Sequence, residues 1–299
     1  MKTNHNRYRG RFAPTPSGPL HLGSLLTALA SYLDARSQHG TWLLRIDDLD
    51  RARCPTGIDA VILRQLEAHG LTWDETARYQ MQHLAEYRDA LARLDREGLL
   101  YACACTRAVL KETSADGPDG PVYPGTCRSA GHARSHLALR ARLAEQTLCF
   151  DDGWQGRQCR ALGSEVGDFV ARRTDGMPSY QLACAIDEQA QRISDVVRGA
   201  DLLGSTFCQS WVQQTLRCAA PRYRHLPVLV DARGRKLSKQ NHASPVDAAS
   251  APENLRLCLR LLNQQDVAGT STEAILAQAV KQWDPQRVPR SAQIENLPL

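Results

Sequence analysis

Apolar and polar positions in the first fifty residues follow a pattern that predicts a strand, a helix and a second strand. Apolar residues recur at helical spacing, at Leu22, Leu25, Leu26, Leu29 and Leu33. Residues 11–12 look like the end of a strand, and the run TWLLRI at 41–46 is β-branched and apolar. A helix over 22–38 would connect these strands as parallel neighbours, because parallel strands need a crossover connection. The chain therefore begins as an α/β unit.

Further patterns predict how the middle of the chain is organised. Helical spacing and glycine stop signals predict helices at 56–69 and 79–98. Residues 134–150 and 157–173 are mostly extended, which predicts an inserted, sheet-rich lobe. An α/β pattern then returns from residue 177.

The second half predicts a helix at 204–218, followed by a strand in HLPVLVDARG that leads directly into the segment KLSKQ. Leucines near residues 255–262 predict another helix, and the polar, Pro-rich stretch after Asp284 predicts a loosely docked tail. We expect an α/β protein with three parts, which are a domain formed by 1–98 and 174–242, an inserted lobe at 99–173, and a helical C-terminal region and tail at 243–299.

Composition restricts the class of protein. The chain has 299 residues, 42% of them apolar, which suffices for a large core in one or two domains. No apolar run approaches the roughly 20 residues that cross a bilayer, and the polar N-terminus lacks the apolar run of a secretory signal. We expect a cytoplasmic protein without a membrane partner, and nothing demands more than a monomer. The formal charge of +5 permits a polyanionic partner without requiring one.

Residues 11–23, RFAPTPSGPLHLG, are the most informative segment. Three prolines and two glycines predict an irregular turn between the first strand and the first helix. Such a turn aims backbone N–H groups and the positive end of the helix at one point, which suits an anion. His21 precedes the helix and can donate to a phosphate; the alternative is an ordinary turn with His21 on the surface. The segment matches neither GxGxxG nor a P-loop.

Polar residues near other predicted strand ends can complete a site. Asp47 follows the second strand, at the end of the sheet where α/β proteins bind ligands. Tyr180 and Arg198 lie near later strand ends, and the forked guanidinium of Arg198 suits a carboxylate. The alternatives are a surface turn or helix cap for Asp47 and an ion pair with Asp195 or Asp201 for Arg198.

The ten cysteines fall into two groups. Cys103 and Cys105 precede a loop rich in Gly, Pro and Asp, and Cys127 follows it. Three thiolates on a tetrahedral Zn²⁺ need a fourth donor, which Tyr123 or His132 can supply. The alternative is three reduced cysteines in a packed lobe, since a disulfide is disfavoured in a reducing cell. The other seven are expected to be small hydrophobic side chains, namely Cys54, Cys149, Cys159, Cys184, Cys208, Cys218 and Cys258.

Two short motifs resemble the signatures of class I aminoacyl-tRNA synthetases. His21-Leu-Gly-Ser24 stands in the place of HIGH, and Lys236-Leu-Ser-Lys239-Gln240 resembles KMSKS. Each motif is weak alone, but together and in this order they are strong. The segments RFAPTPSGPLHLGS, RIDDLD, DGMPSYQLA and DVVRGADLL resemble, in order, the catalytic half of a glutamyl-tRNA synthetase. The resemblance implies a Rossmann-like parallel-sheet catalytic domain with a zinc-bearing insertion.

The resemblance also implies roles for particular residues. Glutamate would be bound by Arg11, Phe12, Ala13, Pro14, Thr15, Asp47, Tyr180 and Arg198. ATP would be bound by His21, Gly23 and Lys239, and the catalytic groups would be His21, Lys236 and Lys239. A structural Zn²⁺ would be held by Cys103, Cys105, Tyr123 and Cys127.

These residues predict attack of an amino-acid carboxylate on the α-phosphorus of ATP, with Mg²⁺ accompanying the nucleotide. Aminoacyl-adenylate and pyrophosphate are the products. Lys236 and Lys239 would neutralise charge on the transferring phosphorus. Because little proton transfer is required, placement and charge stabilisation would carry the rate.

The chain ends soon after the second signature, whereas a full glutamyl-tRNA synthetase continues into an anticodon-binding helical domain. The sequence therefore resembles more closely the truncated paralogues of that family. They activate glutamate without tRNA and transfer it to queuosine at the wobble position of tRNA(Asp). The alternatives are a glutamyl-tRNA synthetase that charges a tRNA 3′ end, a non-catalytic tRNA-binding paralogue and, more weakly, a nucleotidylyltransferase of the same superfamily.

Three residues depart from the family pattern. Asp47 stands where the family usually has Glu, so its contact with an ammonium is expected to be longer or water-bridged. Ser24 replaces the last His of HIGH, which removes one phosphate donor. Gln240 replaces the last Ser of KMSKS.

Overall fold

The computed structural model describes residues 7–230, 236 and 244–295. Within these residues the helices are α1 (Leu22–Arg36), α2 (Ile58–Ala68), α3 (Leu84–Arg96), α4 (Arg107–Thr113), α5 (Tyr180–Ala190), α6 (Leu203–Thr215), α7 (Ala251–Leu261) and α8 (Thr272–Gln282). The strands are β1 (Arg9–Phe12), β2 (Thr41–Ile46), β3 (Arg78–Tyr79), β4 (Leu100–Cys103), β5 (Ala115–Gly117), β6 (Gly120–Val122), β7 (Ala138–Ala141), β8 (Thr147–Asp152), β9 (Gly156–Ala161), β10 (Val170–Arg172), β11 (Asp195–Gly199), β12 (Arg222–Leu226), β13 (Val228–Val230) and β14 (Gln293–Glu295).

Parallel strands form the centre of the molecule. β1 pairs with β2, with Arg9 opposite Thr41 and Phe12 opposite Leu44, and β2 pairs with β3. β11 lies along the other edge of β1, where the Ser194 amide donates to the Arg9 carbonyl at 3.0 Å. β12 pairs in parallel with β11. The predicted α/β fold with a parallel sheet is confirmed.

Helix α1 is the crossover from β1 to β2, as its apolar spacing predicts. It packs against β1, β2 and β11 on one side and contacts α7 and α8 on the other. Leu25, Leu29 and Leu33 are completely buried. The helix ends at Arg36, and His39, with φ 51°, adopts the left-handed conformation that turns the chain toward β2.

The C-terminal region is built into the main core. Leu255, Leu259 and Ile275 belong to the same buried cluster as the leucines of α1. β14 pairs in parallel with β13, and the Val228 amide donates to the Ala292 carbonyl at 3.0 Å. The prediction of a loosely docked tail after Asp284 is therefore wrong for the described residues. Local composition did not indicate the pairing, because its partner strand lies far away in the sequence.

The inserted region is divided between two sheets. β4, β7 and β10 form an antiparallel sheet whose residues share a core with α3, α5 and α6. The hairpin β8–β9 extends the central sheet, because β8 pairs in parallel with β12 through Asp152 and Tyr223. The predicted lobe thus shares its packing with the α/β part, and the boundaries 99 and 173 remain predictions.

Two local predictions need correction. The helix predicted over 79–98 begins at Leu84, because residues 78–79 form β3 and residues 80–83 form a 3₁₀ turn. Cys149 and Cys159, expected to be free hydrophobic side chains, lie opposite each other in the β8–β9 hairpin and form a disulfide. In the part of the chain that the structure describes, we find no helix with the length and apolar character of a membrane span.

Candidate active site

A cavity of about 560 Å³ opens at the carboxyl ends of β1 and β11, beside the first turn of α1. The predicted site residues that line it are Arg11, Phe12, Ala13, Pro14, Thr15, His21, Gly23, Tyr180, Arg198 and Lys236. Residues of both signature motifs therefore meet at one cavity. Lys239, with Gln240, lies outside the described residues, and Asp47 is not among the lining residues.

His21 caps the helix that points at the cavity. Its backbone is extended, with φ −104° and ψ 171°, and its Nδ1 accepts a hydrogen bond from the Ser24 amide at 3.3 Å. The cap satisfies one of the amides that a helix N-terminus leaves without a partner. Because Nδ1 accepts, the hydrogen of a neutral His21 lies on Nε2, which is 3.1 Å from the Ser24 hydroxyl.

The position of His21 is fixed from the C-terminal side. His21 forms a β-bridge with Pro245, and the Val246 amide donates to the Leu20 carbonyl at 2.9 Å. Gln65 connects both segments, because its Oε1 accepts from the Leu20 amide and its Nε2 donates to the Val246 carbonyl. The segment after the second motif therefore supports the first motif.

Arg11 is held by an acidic residue that sequence analysis missed. Its Nε donates to Glu188 Oε1 and Oε2 at 3.0 and 3.2 Å, and its Nη1 donates to the Val197 carbonyl at 3.2 Å. Burial alone would raise the pKa of Glu188, but Arg11 and Arg45 outweigh burial and lower it. One of the arginines that line the cavity is thus held in a buried ion pair.

Arg198 is surrounded by uncharged partners. Its Nη1 donates to Gln209 Oε1 at 2.8 Å, its Nη2 to Thr206 Oγ1 at 2.8 Å, and its Nε to His225 Nε2 at 3.0 Å. The alternative of an ion pair with Asp195 or Asp201 is wrong in this structure.

Asp195 and Asp201, the acids considered as ion-pair partners of Arg198, have other cationic partners. Asp195 is paired with Arg222 and Arg224, and Asp201 with Lys236. Sequence analysis had no local signal for the true partners of Arg198, because they lie on α6 and β12.

Asp47 is buried and is not one of the residues that line the cavity. Its Oδ1 accepts from Arg45 Nε at 2.7 Å, and Arg45 also approaches Asp187 and Glu188 within 3.6 Å. Burial raises the pKa of Asp47 to about 6, although Arg45 opposes the shift. The Asp47 amide donates to the Pro14 carbonyl at 3.0 Å, so the residue adjoins the turn that lines the cavity.

Tyr180 and Lys236 contribute from opposite directions. Tyr180 is the first residue of α5, whose N-cap is Ser179. Burial raises the pKa of the Tyr180 phenol, which therefore stays protonated. Lys236 forms a β-bridge with Val230, and its Nζ pairs with Asp201, two residues beyond β11. The second motif is thus attached to the edge of the cavity.

The three clustered cysteines meet as the sequence predicts. The Sγ atoms of Cys103, Cys105 and Cys127 lie within 4.8 Å of one another. The Tyr123 hydroxyl is 3.4 Å from Cys103 Sγ and 3.7 Å from Cys105 Sγ. Three thiols and a phenol that converge in this way fit a tetrahedral Zn²⁺ site. His132, the alternative fourth donor, is exposed and is not part of this cluster.

Residues 7–282 match the family of class I tRNA synthetases (E and Q), catalytic domain. This match spans more than half of the chain. The chain belongs to this family and is an enzyme of the ligase type.

Relatives within the family have a more particular name, glutamyl-Q tRNA(Asp) synthetase. The protein of that name from Cupriavidus metallidurans is 48% identical over 286 residues, which cover 93% of this chain and 91% of the relative. The one from Pseudomonas paraeruginosa is 46% identical over 289 residues, which cover 95% of this chain and 96% of the relative.

A solved structure extends the comparison to the fold. The glutamate tRNA ligase from Elizabethkingia meningosepticum, in complex with its amino acid, superposes with a TM-score of 0.79 at 22% identity. The superposition covers 97% of this chain and 67% of that ligase. At this identity the likeness demonstrates a shared fold.

Proposed function

We propose that the chain activates L-glutamate with ATP in the absence of tRNA and then transfers it to queuosine at the wobble position of tRNA(Asp). The relatives named glutamyl-Q tRNA(Asp) synthetase support the tRNA acceptor. We further propose that the protein acts as a monomer. A tRNA partner also fits the cytoplasmic location expected from the sequence.

The observation that carries the proposal is the environment of Arg198. Its guanidinium is buried in the cavity wall, and its hydrogen-bond partners among the described residues are uncharged. Arg11, in contrast, is neutralised by Glu188. A buried cation whose hydrogen-bond partners in the described residues are all uncharged favours a ligand that brings a carboxylate, to which the guanidinium can donate. Arg198 would therefore bind the side-chain carboxylate of glutamate.

The part of the cavity beside α1 suits the phosphates of ATP. The N-terminus of α1 offers backbone amides there, and His21 and Lys236 are among the residues that line the cavity. Lys239 would join them from the second motif. Mg²⁺ would enter with ATP and offset part of the phosphate charge.

In the first step an α-carboxylate oxygen of glutamate attacks the α-phosphorus. The bond from this phosphorus to the β-phosphate oxygen breaks, and pyrophosphate leaves with the electron pair. In the second step a hydroxyl of the queuosine cyclopentenediol attacks the acyl carbon, AMP departs, and the hydroxyl proton passes to solvent. His21 and the two lysines would act by stabilising charge on the phosphates.

Two further assignments complete the proposal. Asp47 would bind the α-ammonium of glutamate through water, because its carboxylate is already bonded to Arg45 and lies outside the cavity lining. Cys103, Cys105, Tyr123 and Cys127 would hold a Zn²⁺ with a structural role, since a closed site of this kind ties the β4 end to the following loop.

The experiment has two stages. The first measures glutamate-dependent exchange of pyrophosphate into ATP without tRNA, and its absence would favour a non-catalytic tRNA-binding paralogue. The second incubates the enzyme with radiolabelled glutamate and tRNA(Asp), with and without queuosine, and maps the label. Label at the queuosine nucleotide supports the proposal. In a parallel incubation with tRNA(Glu), label at its 3′ end would instead identify a charging synthetase.

A further inference from the structure

Two residues connect Arg198 to the hairpin of the inserted region. His225, on β12, accepts from Arg198 Nε at its Nε2, and its Nδ1 lies 2.5 Å from Asp152 Oδ2 at the end of β8. Arg198, His225 and Asp152 are each at least 95% buried. The three side chains therefore form a continuous chain from the hairpin to the cavity.

Asp152 is fixed as an acceptor by the backbone. Its Oδ1 accepts from the amides of Trp154, Gln155 and His225, at 3.0, 2.9 and 3.1 Å. Burial by itself would raise the pKa of Asp152, but the hydrogen bonds from His225 and these amides lower it, so the carboxylate is ionised.

The carboxylate determines where His225 carries its hydrogen. An ionised Asp152 can only accept, so Nδ1 of His225 must donate to it. Burial lowers the pKa of His225, and the ring is neutral with a lone pair on Nε2. That lone pair faces the Nε–H of Arg198. With the opposite tautomer, two N–H donors would oppose each other at 3.0 Å.

We propose that Asp152 and His225 are a positioning pair, which sets the orientation of the Arg198 guanidinium for the carboxylate of the substrate. Gln209 and Thr206 hold the other two nitrogens from α6. The fork is thereby fixed before the ligand arrives, which lowers the cost of ordering it on binding. The inference rests on the proposed function for the identity of the substrate.

The variant Asp152→Asn tests the pair, because it should move the ring hydrogen of His225 from Nδ1 to Nε2. The three backbone amides keep the amide oxygen at the Oδ1 position, so the amide nitrogen must face His225 Nδ1. The ring must then accept at Nδ1 and carry its hydrogen on Nε2, against Arg198. We expect the KM for glutamate in pyrophosphate exchange to rise about tenfold to a hundredfold, with the KM for ATP nearly unchanged.

A second substitution separates positioning from general damage. In Asp152→Asn/His225→Gln, the glutamine carbonyl can take the place of Nε2 and accept from Arg198 without help from residue 152. We expect the double variant to have a lower KM for glutamate than Asp152→Asn alone. If the two substitutions only damaged the structure, their effects would add, and the KM of the double variant would be higher than that of the single one. If Asp152→Asn does not fold, His225→Gln and His225→Leu are compared instead, and Leu should raise the KM more.

Asp195→Asn is the matched control. Like Asp152, Asp195 is a buried carboxylate, but it lies on β11, is paired with Arg222 and Arg224 and does not contact Arg198. The substitution Asp195→Asn should lower stability without raising the KM for glutamate. An unchanged KM in Asp152→Asn, or a double variant worse than the single one, would overturn the positioning pair.

The tautomer can be measured without activity. Two-bond ¹H–¹⁵N spectra of the wild-type enzyme should place the His225 hydrogen on Nδ1, and those of Asp152→Asn on Nε2. A wild-type hydrogen on Nε2 refutes the inference whatever the enzyme does. Loss of glutamate-dependent exchange in the wild type, with the expected tautomers, would count against the proposed function alone.

Discussion

The carboxylate of Glu188 holds the guanidinium of Arg11 through two hydrogen bonds, at 3.0 and 3.2 Å, and both side chains are almost completely buried. Arg45 approaches the same carboxylate within 3.3 Å. Glu188 is therefore within ion-pair distance of two buried cations at once, whereas Arg198 is hydrogen-bonded to His225, Gln209 and Thr206. We therefore expect a substrate carboxylate to pair with Arg198.

Glu188→Gln should be strongly destabilising, because it leaves Arg11 and Arg45 with less anionic compensation in a buried place. We expect urea unfolding to show a loss of about 3 kcal/mol in the free energy of unfolding. Glu75→Gln is the control, since Glu75 pairs with Arg9 on the surface and its side chain is 53% exposed. That change should cost less than about 1 kcal/mol. Equal losses in the two variants would contradict the account of the buried pair.

The raised pKa of Asp47 should give the free energy of unfolding an unusual dependence on pH. Its folded pKa of about 6 lies above the ordinary value of 3.8, so between these values the folded state binds more protons than the unfolded state. The contribution of Asp47 to stability therefore falls as the pH rises through this window. Relative to Asp47→Asn, the wild type should lose roughly 2 kcal/mol between pH 4.5 and 7.5. Urea unfolding at both pH values checks this, and a relative gain in wild-type stability would show that the sign is wrong.

The cysteine cluster predicts bound zinc. Purified enzyme should contain about one Zn²⁺ per chain, and Cys127→Ser should lose most of it and unfold at a lower temperature. Cys218→Ser serves as the control, because Cys218 lies outside the cluster. Elemental analysis with thermal unfolding measures both effects. Wild-type enzyme that folds and contains no zinc would refute the site.

Lys239 is predicted from the second motif to act on the phosphates. Lys239→Ala should lower the rate of adenylate formation about a hundredfold or more, because charge on the transferring phosphorus loses a stabilising cation. Glutamate binding, measured by calorimetry, should change little. Lys281→Ala, on the exposed surface of α8, should have neither effect. Equal loss of glutamate binding and rate would argue against a role at the phosphates.

The main segments of the site could be predicted where each is marked by residues that are close together in the sequence. The proline-rich turn after β1, the spacing of α1 and the KLSKQ segment together indicated a cavity, and both motifs line it through His21 and Lys236. The cysteine cluster was equally predictable, because its residues flank one loop.

The supporting contacts could not be predicted in the same way. Glu188 lies 177 positions from Arg11, and Asp152 lies 73 positions from His225, so no local pattern connects either pair. Asp47 was predicted at the site because it follows β2, but the side chain turns to Arg45. The disulfide of Cys149 and Cys159 depends on the register of a hairpin that the sequence indicated only as extended segments.

The central claim is that Arg198 selects a substrate with a side-chain carboxylate. Pyrophosphate exchange with wild-type enzyme, without tRNA, tests it by comparing L-glutamate with L-glutamine, which has the same shape but no side-chain charge. The account predicts exchange with glutamate and at least about a hundredfold lower kcat/KM with glutamine, because the buried guanidinium of Arg198 would gain no carboxylate as a hydrogen-bond partner. Equal kcat/KM values for the two amino acids would contradict it.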